Sequence, residues 1–114
     1  VGEMIAKGQG IGTRSANGKV VVARNAEEAL RKATDGCILV TPATDKEYMP
    51  AVQRAAGLIT VTGGITSHAA VVGISLGIPA IVGVANAMEL LHDGMEVSIY
   101  PEVGVIYSGK SSVM

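Results

Sequence analysis

The chain has 114 residues and a formal net charge of −1, and 48% of it is apolar although Phe and Trp are absent and Tyr occurs three times. That length suits one domain, and a near-neutral charge with no basic run excludes nucleic acid and anionic membranes as natural partners. With no apolar run of about 18 residues and no secretory leader, a soluble, cytoplasmic protein is expected, and the single Cys37 excludes an internal disulfide.

A core without large rings has to be layered from β-branched and small residues, which suits strands packed on helices. The first residue is Val1, not an initiator methionine, so the chain reads as a fragment of a longer protein. Residues 1–12 carry Lys7-Gly8-Gln9-Gly10-Ile11-Gly12, too glycine-rich for a helix. A dinucleotide fingerprint would follow a strand and open a helix, whereas a strand at 18–23 follows here. The segment therefore reads as a flexible linker from a preceding catalytic body, with a single domain over 13–114.

Asn25-Ala26-Glu27-Glu28 has the spacing of an N-cap and its third helical residue, and Asp35-Gly36 supplies the stop. Residues 37–41 form a buried strand ended by Pro42. Thr44-Asp45-Lys46-Glu47 opens a second helix that Pro50 either kinks or restarts. Leu58-Ile59-Thr60 is the next strand and runs straight into Gly63-Gly64. Thr66 or Ser67 then caps a helix that begins with His68 and continues in small apolar residues, so it looks buried. Gly77 and Pro79 end it, Ala80-Ile81-Val82 is a strand, and Asn86-Ala87-Met88-Glu89 has a third capping pattern. His92 falls at a short helix end and reads as a solvated charge. Glu96 to Ile99 alternates like a half-exposed strand, Val103-Gly104 turns the chain, and Val105-Ile106-Tyr107 closes a hairpin before a polar tail from Ser108. Alternating strands and helices in the middle, with strand-rich ends, predict an α/β fold: a parallel-rich central sheet with helices, plus an antiparallel β layer from the chain ends.

His68 is the residue that points to chemistry. A helix N-terminus offers unpaired amides and partial positive charge, which keep an imidazole neutral and favour an anion beside it. Gly63, Gly64, Thr66 and Ser67 make the surrounding turn a phosphate-sized cradle of amides and hydroxyls. His68 is thus either a hydrogen-bonded structural residue or a nucleophile able to accept a phosphoryl group. No spaced Cys, His and carboxylate set suggests a metal, Cys37 reads as inert packing, and neither a Walker loop nor an acidic ribose ligand supports nucleotide binding.

Gly63-Gly64-Ile65-Thr66-Ser67-His68-Ala69-Ala70-Val71-Val72, with Leu76-Gly77-Ile78-Pro79-Ala80-Ile81-Val82-Gly83, closely resembles the phosphohistidine domain of phosphoenolpyruvate-utilising enzymes. Val40-Thr41-x-x-Thr44-Asp45, Pro50 and Ala55-Ala56-Gly57-Leu58-Ile59-Thr60 match the segment upstream. The resemblance implies a swivelling β/β/α domain in which His68 carries a phosphoryl group between remote sites. The two chain ends, Val1-Gly2 followed by Ile5 to Gly12 and Ser108 to Val113, are similar to those of the extra C-terminal domain of Bacillus-type pyruvate kinases. This narrower resemblance implies a parent that transfers a phosphoryl group from phosphoenolpyruvate to ADP with magnesium and potassium, and no cofactor in the domain itself. It further implies the parent's catalytic domains and neighbouring subunits of a homo-oligomer as partners, with phosphate, sulfate or a phosphorylated metabolite at the loop. Working carriers place arginine beside the glycine pair and again after the histidine, where this chain has Thr62, Ile65 and Ile74, with Gly73 in place of an alanine. Guanidinium is hard to replace by amides alone, so Lys46 and Arg54 are the remaining candidates to approach from another element.

Overall fold

Strands in which every residue is buried need cover on both faces, and the fold supplies it as three layers. The computed structural model describes residues 3–109. In chain order it contains β1 (Met4–Lys7), β2 (Gln9–Ile11), β3 (Ala16–Val22), α1 (Ala26–Lys32) and β4 (Ile38–Thr41). A 3-10 turn (Lys46–Tyr48), α2 (Met49–Arg54), β5 (Gly57–Thr60), α3 (His68–Leu76), β6 (Ala80–Val82), α4 (Ala87–Leu90), β7 (Glu96–Tyr100) and β8 (Val105–Ser108) follow. Strands β3, β4, β5 and β6 run parallel, in register Val20 with Ile38, Ile38 with Gly57 and Leu58 with Ala80. Antiparallel β2 closes that sheet on β6, while β1, β8, β7 and the first half of β3 form a second, antiparallel sheet. The expected β/β/α architecture is the one observed.

Alternation along the central strands divides the core in two. Leu39, Leu58, Ala80 and Val82 point into the layer under α1, α2 and α3. Their neighbours Ile38, Val40, Ile59 and Ile81 point between the sheets, against Val97, Ile99 and Ile106. A strand buried on both faces reads as an unbroken apolar run, which is why these three strands are short and uninterrupted in sequence.

Several expectations need correction. Residues 4–11 are not a flexible linker but two strands at opposite ends of the order β1-β8-β7-β3-β4-β5-β6-β2. Only Gly8 separates them, and there the chain passes from one sheet to the other. The glycines serve close backbone approach rather than flexibility. Gly8 N donates to Gly104 O at 2.8 Å, and a Cβ on Gly10 would overlap the Pro101 carbonyl. The boundary placed at residues 12 and 13 therefore falls inside one sheet system.

Strand β7 is not half-exposed, because Val97, Ser98 and Ile99 are all buried. The Ser98 Oγ donates to Gly109 O at 2.9 Å, so the chain's own return covers the polar face. Helix α3 is less buried than expected, since Val71, Ile74 and Leu76 are exposed. Asn86 precedes α4 without any side-chain capping bond. Asn25 forms its cap as read, Oδ1 accepting from Glu28 N at 2.8 Å, whereas in the second capping pattern the cap is Asp45 and not Thr44: Asp45 Oδ1 accepts from Glu47 N at 2.9 Å. Pro50 sits in the first turn of α2 and so restarts the helix after the 3-10 turn. Lys110 to Met114, most of the expected tail, lie outside the described residues.

Candidate functional site

Parallel strands β4 and β5 end side by side at Thr41 and Thr60, and the loops that leave them meet beyond those ends, the usual location of sites on open parallel sheets. The loops are stitched together before either reaches its helix. Val61 N donates to Thr41 O at 3.2 Å, and Thr62 N and Oγ1 both donate to Pro42 O at 3.0 Å. This stitching sets the loop that carries Thr44 against the one that leads to His68.

The glycine turn is shaped around the helix cap. Gly63 has φ +110°, and a Cβ there would lie 2.9 Å from both Cβ and Oγ of Ser67. The Ser67 Oγ donates to Gly64 O at 2.8 Å and accepts from Ala70 N at 3.3 Å, the N-cap bond of α3. Its only proton is thus engaged, and it can donate to an anion only by releasing Gly64. No backbone acceptor takes the amides of Gly63, Gly64, Ile65 or Thr66 among the described residues. Together with the exposed Thr66 hydroxyl, these amides are the donors the loop offers to an anion.

His68 is the first residue of α3 and is exposed. Its Nδ1 lies 2.8 Å from Thr44 Oγ1. When the Nδ1 proton is donated to Thr44, the Nε2 lone pair is left unshared, the form in which an imidazole attacks an electrophile. The sequence reading assigned Thr44 only to a capping pattern; its place in the upstream segment shared with the phosphohistidine family was the available signal. Gln9 was also missed: its Oε1 is 3.7 Å from where a Cβ on Gly64 would sit, so β2 borders the loop.

Fixed positive charge is scarce at this site. Arg54 pairs through Nε with Asp35 Oδ1 at 2.9 Å, and its carbonyl accepts from Gly36 N at 2.8 Å. It therefore sits where β4 and β5 begin, at the pole opposite His68, so of the two candidate cations Arg54 does not approach the histidine. Lys46 stands in the 3-10 turn two residues after Thr44, exposed and in no ion pair among the described residues. Thr62 and Ile65, where carriers have arginine, are exposed on the loop. Gly73 has a packing reason, since a Cβ there would come within 3.0 Å of Ile78 O and 3.4 Å of Ala80 Cβ.

Two further titratable groups, Asp93 and Cys37, have structural roles. Asp93 accepts from Val22 N and from Lys32 Nζ, both at 2.7 Å. These bonds, the lysine's first, hold its carboxyl below the ordinary value. Cys37 is buried, and burial pushes its thiol up. His92 is exposed beside that turn. Among the described residues no three His, Cys, Asp or Glu side chains come together as a metal site would require, and no helix is long and apolar enough to cross a membrane.

Comparison with known proteins agrees with the geometry. Residues 33–104 match the family described as PEP-utilising enzyme, mobile domain. The chain is 56% identical over all 114 residues to pyruvate kinases of Sporosarcina psychrophila and Geobacillus stearothermophilus, and covers 20% and 19% of their lengths. It is 42% identical over 108 residues to a phosphoenolpyruvate synthase of Aeropyrum pernix, covering 95% of this chain and 13% of that protein. The chain thus spans about a fifth or less of each of these relatives. Among solved structures, the holo-form of Thermococcus kodakaraensis aconitase X superimposes with TM-score 0.70 at 21% identity, over 92% of this chain and 98% of that one. An NMR structure of Enzyme I (nEIt) gives TM-score 0.59 at 24% identity, over 68% of this chain and 32% of that one. At these identities the two structures speak for the fold.

Proposed function

The chain belongs to the family of PEP-utilising enzyme mobile domains, and from that premise we propose that it is an appended domain of a bacterial pyruvate kinase, structural or regulatory rather than catalytic. The observation that carries this reading is the end-to-end match at 56% identity with pyruvate kinases, against 42% for the phosphoenolpyruvate synthase. The parent would transfer a phosphoryl group from phosphoenolpyruvate to ADP, and the magnesium and potassium expected of it belong to its catalytic body. Within the domain, the amides of Gly63 and Gly64, the Thr66 hydroxyl and, after releasing Gly64, the Ser67 hydroxyl would hold phosphate, sulfate or the phosphate of a metabolite. Without a guanidinium beside them, amides and hydroxyls bind such an ion weakly and reversibly, as suits an effector more than a covalent intermediate.

The experiment has two arms. The full-length polypeptide should convert phosphoenolpyruvate and ADP to pyruvate and ATP, and no conversion would refute the parentage. Phosphate titrated into the 114-residue chain should shift the amide resonances of Gly63, Gly64 and Thr66; unmoved resonances would refute the anion loop.

One observation favours a second reading, a phosphohistidine carrier: Thr44 already orients the His68 ring. In that case Nε2 attacks a phosphoryl donor in line, the P–N bond forms as the P–O bond to the leaving group breaks, and the leaving oxygen keeps the electron pair. An acid-labile, base-stable adduct lost in His68→Ala would establish it; no adduct with any donor would reject it.

A further inference from the structure

Thr44 orients the ring of His68, so whatever holds Thr44 decides how the ring is presented. Among the described residues no backbone hydrogen bond engages Ala43 or Thr44. The segment from Thr41 to Tyr48 is instead fixed from its two ends. On the β5 side, Pro42 O takes both bonds from Thr62, each at 3.0 Å. On the inner side, Thr41 Oγ1 donates to the Tyr48 hydroxyl at 3.0 Å. Thr41 is fully buried, and Tyr48 is 5% exposed with its ring in the core layer under the helices.

This second bond closes a clasp. The chain leaves β4 at Thr41, runs out through Thr44, turns at the Asp45 cap and returns in the 3-10 turn, where residue 48 meets residue 41 again. Tyrosine suits the closure, because its ring packs as core while its hydroxyl reaches a polar partner. A phenylalanine would fill the same volume, so packing accounts for the ring and not for the hydroxyl. Buried hydroxyls need partners, and Thr41 and Tyr48 supply each other's.

We propose that Tyr48 is a positioning residue for His68: by tying the returning end of the loop to Thr41, it holds Thr44 where its hydroxyl meets the ring's Nδ1. The clasp thereby selects what the ring offers at Nε2, a lone pair when Nδ1 carries the proton and a proton when it does not. The consequence for an anion or a phosphoryl donor rests on the reading of His68 and the glycine turn as one site.

Nitrogen NMR of the His68 ring in the 114-residue chain tests it, read at about pH 8.5, where an imidazole is neutral. Tyr48→Phe keeps the aromatic ring in the core and removes the hydroxyl alone. One hydrogen bond is a factor of roughly 2–10 in an equilibrium. The ratio of the two tautomers should therefore change about twofold or more, in the direction in which Thr44→Val moves it. Thr41→Val, which removes the other hydroxyl, should match that change, and Thr41→Ser should keep the unaltered ratio. In the Thr44→Val background Tyr48→Phe should add nothing, because its effect runs through Thr44. Either of Tyr48→Phe and Thr41→Val carries the test if the other does not fold. Unchanged ring shifts in a folded variant overturn the proposal. So does an equal change in Ile106→Val, which loosens the other core layer, since general destabilisation would then be the cause. A further change in the Thr44→Val background overturns it too, by showing a route that bypasses Thr44. The readout needs no anion, donor or parent enzyme, so failure here and failure of the proposed function are separate results.

Discussion

Gly63→Ala should damage the site through its cap. The residue sits at φ +110°, a conformation an L side chain adopts at a cost of about 1–2 kcal/mol. The new Cβ would also lie 2.9 Å from Cβ and Oγ of Ser67, which must then move. Moving Ser67 breaks the bond from Ala70 N that caps α3, worth about 1 kcal/mol. The sum is about 2–3 kcal/mol, and with a urea m-value of about 1.5 kcal/mol/M the midpoint falls by about 1.3–2 M. Urea unfolding in a double-mutant cycle with Ser67→Gly separates the two causes. Glycine is a tolerable N-cap, so Ser67→Gly alone should cost a few tenths of a kcal/mol. In the Gly63→Ala background it should instead restore about 1 kcal/mol, because the overlapping atoms are gone. A loss below about 0.5 kcal/mol for Gly63→Ala, or a Ser67→Gly effect that is the same in both backgrounds, would refute this account.

Gly10→Ala should be worse, about 3 kcal/mol or more, because its Cβ would overlap the Pro101 backbone, which cannot rotate aside; Gly64→Ala, with its nearest neighbour the Gln9 side chain at 3.7 Å, is the mild control, and equal losses would contradict the close-approach explanation. Asp93 has its folded pKa held down, chiefly by Lys32, so its contribution to stability is present above the ordinary carboxylate pKa and lost as pH falls through the folded value. Asp93→Asn should therefore cost about 0.5 kcal/mol near pH 7, a small figure because the carboxylate is half exposed. That difference should shrink as pH falls from the ordinary carboxylate pKa through the lower folded value and disappear once the carboxyl is protonated in both states, and one that persisted there would point to a cause other than charge. Thr44→Val removes the partner of His68 Nδ1, and loss of about 1 kcal/mol of bonding should change the ring's tautomer ratio about fivefold by nitrogen NMR. Unchanged ring shifts would mean that the bond does not set the tautomer.

Much of the fold could be read from the chain because its signals are local. Asn25 with Glu28, Ser67 before His68 and Gly77 after Leu76 mark helix ends by chemistry that needs no tertiary contact, and each lies where the structure has it. The strand ends at Thr41 and Thr60 were legible for the same reason. What failed depends on distant partners. Gly8 and Gly10 look like linker residues until Gly104 and Pro101 are seen against them. Ser98 looks solvent-facing until Gly109 covers it. Arg54 was a candidate neighbour of His68 because spacing alone does not say at which pole of a parallel sheet a helix ends. The site was half legible: the glycine turn, the cap and the histidine were found, while Thr44 was missed because it comes from another loop and meets the ring only across the strand ends. Val71, Ile74 and Leu76 on α3 were misread as core, since an apolar residue looks the same in sequence whether it is covered or exposed.

The central claim is that His68 belongs to an appended domain and not to the phosphoryl-transfer path of the parent. Its most direct test is kcat for the transfer from phosphoenolpyruvate to ADP by the full-length polypeptide carrying His68→Ala. The account predicts kcat within about twofold of the unaltered protein, since a group that never touches the reacting atoms adds no transition-state stabilisation. A fall of about a hundredfold or more would place His68 on the reaction path and contradict the account.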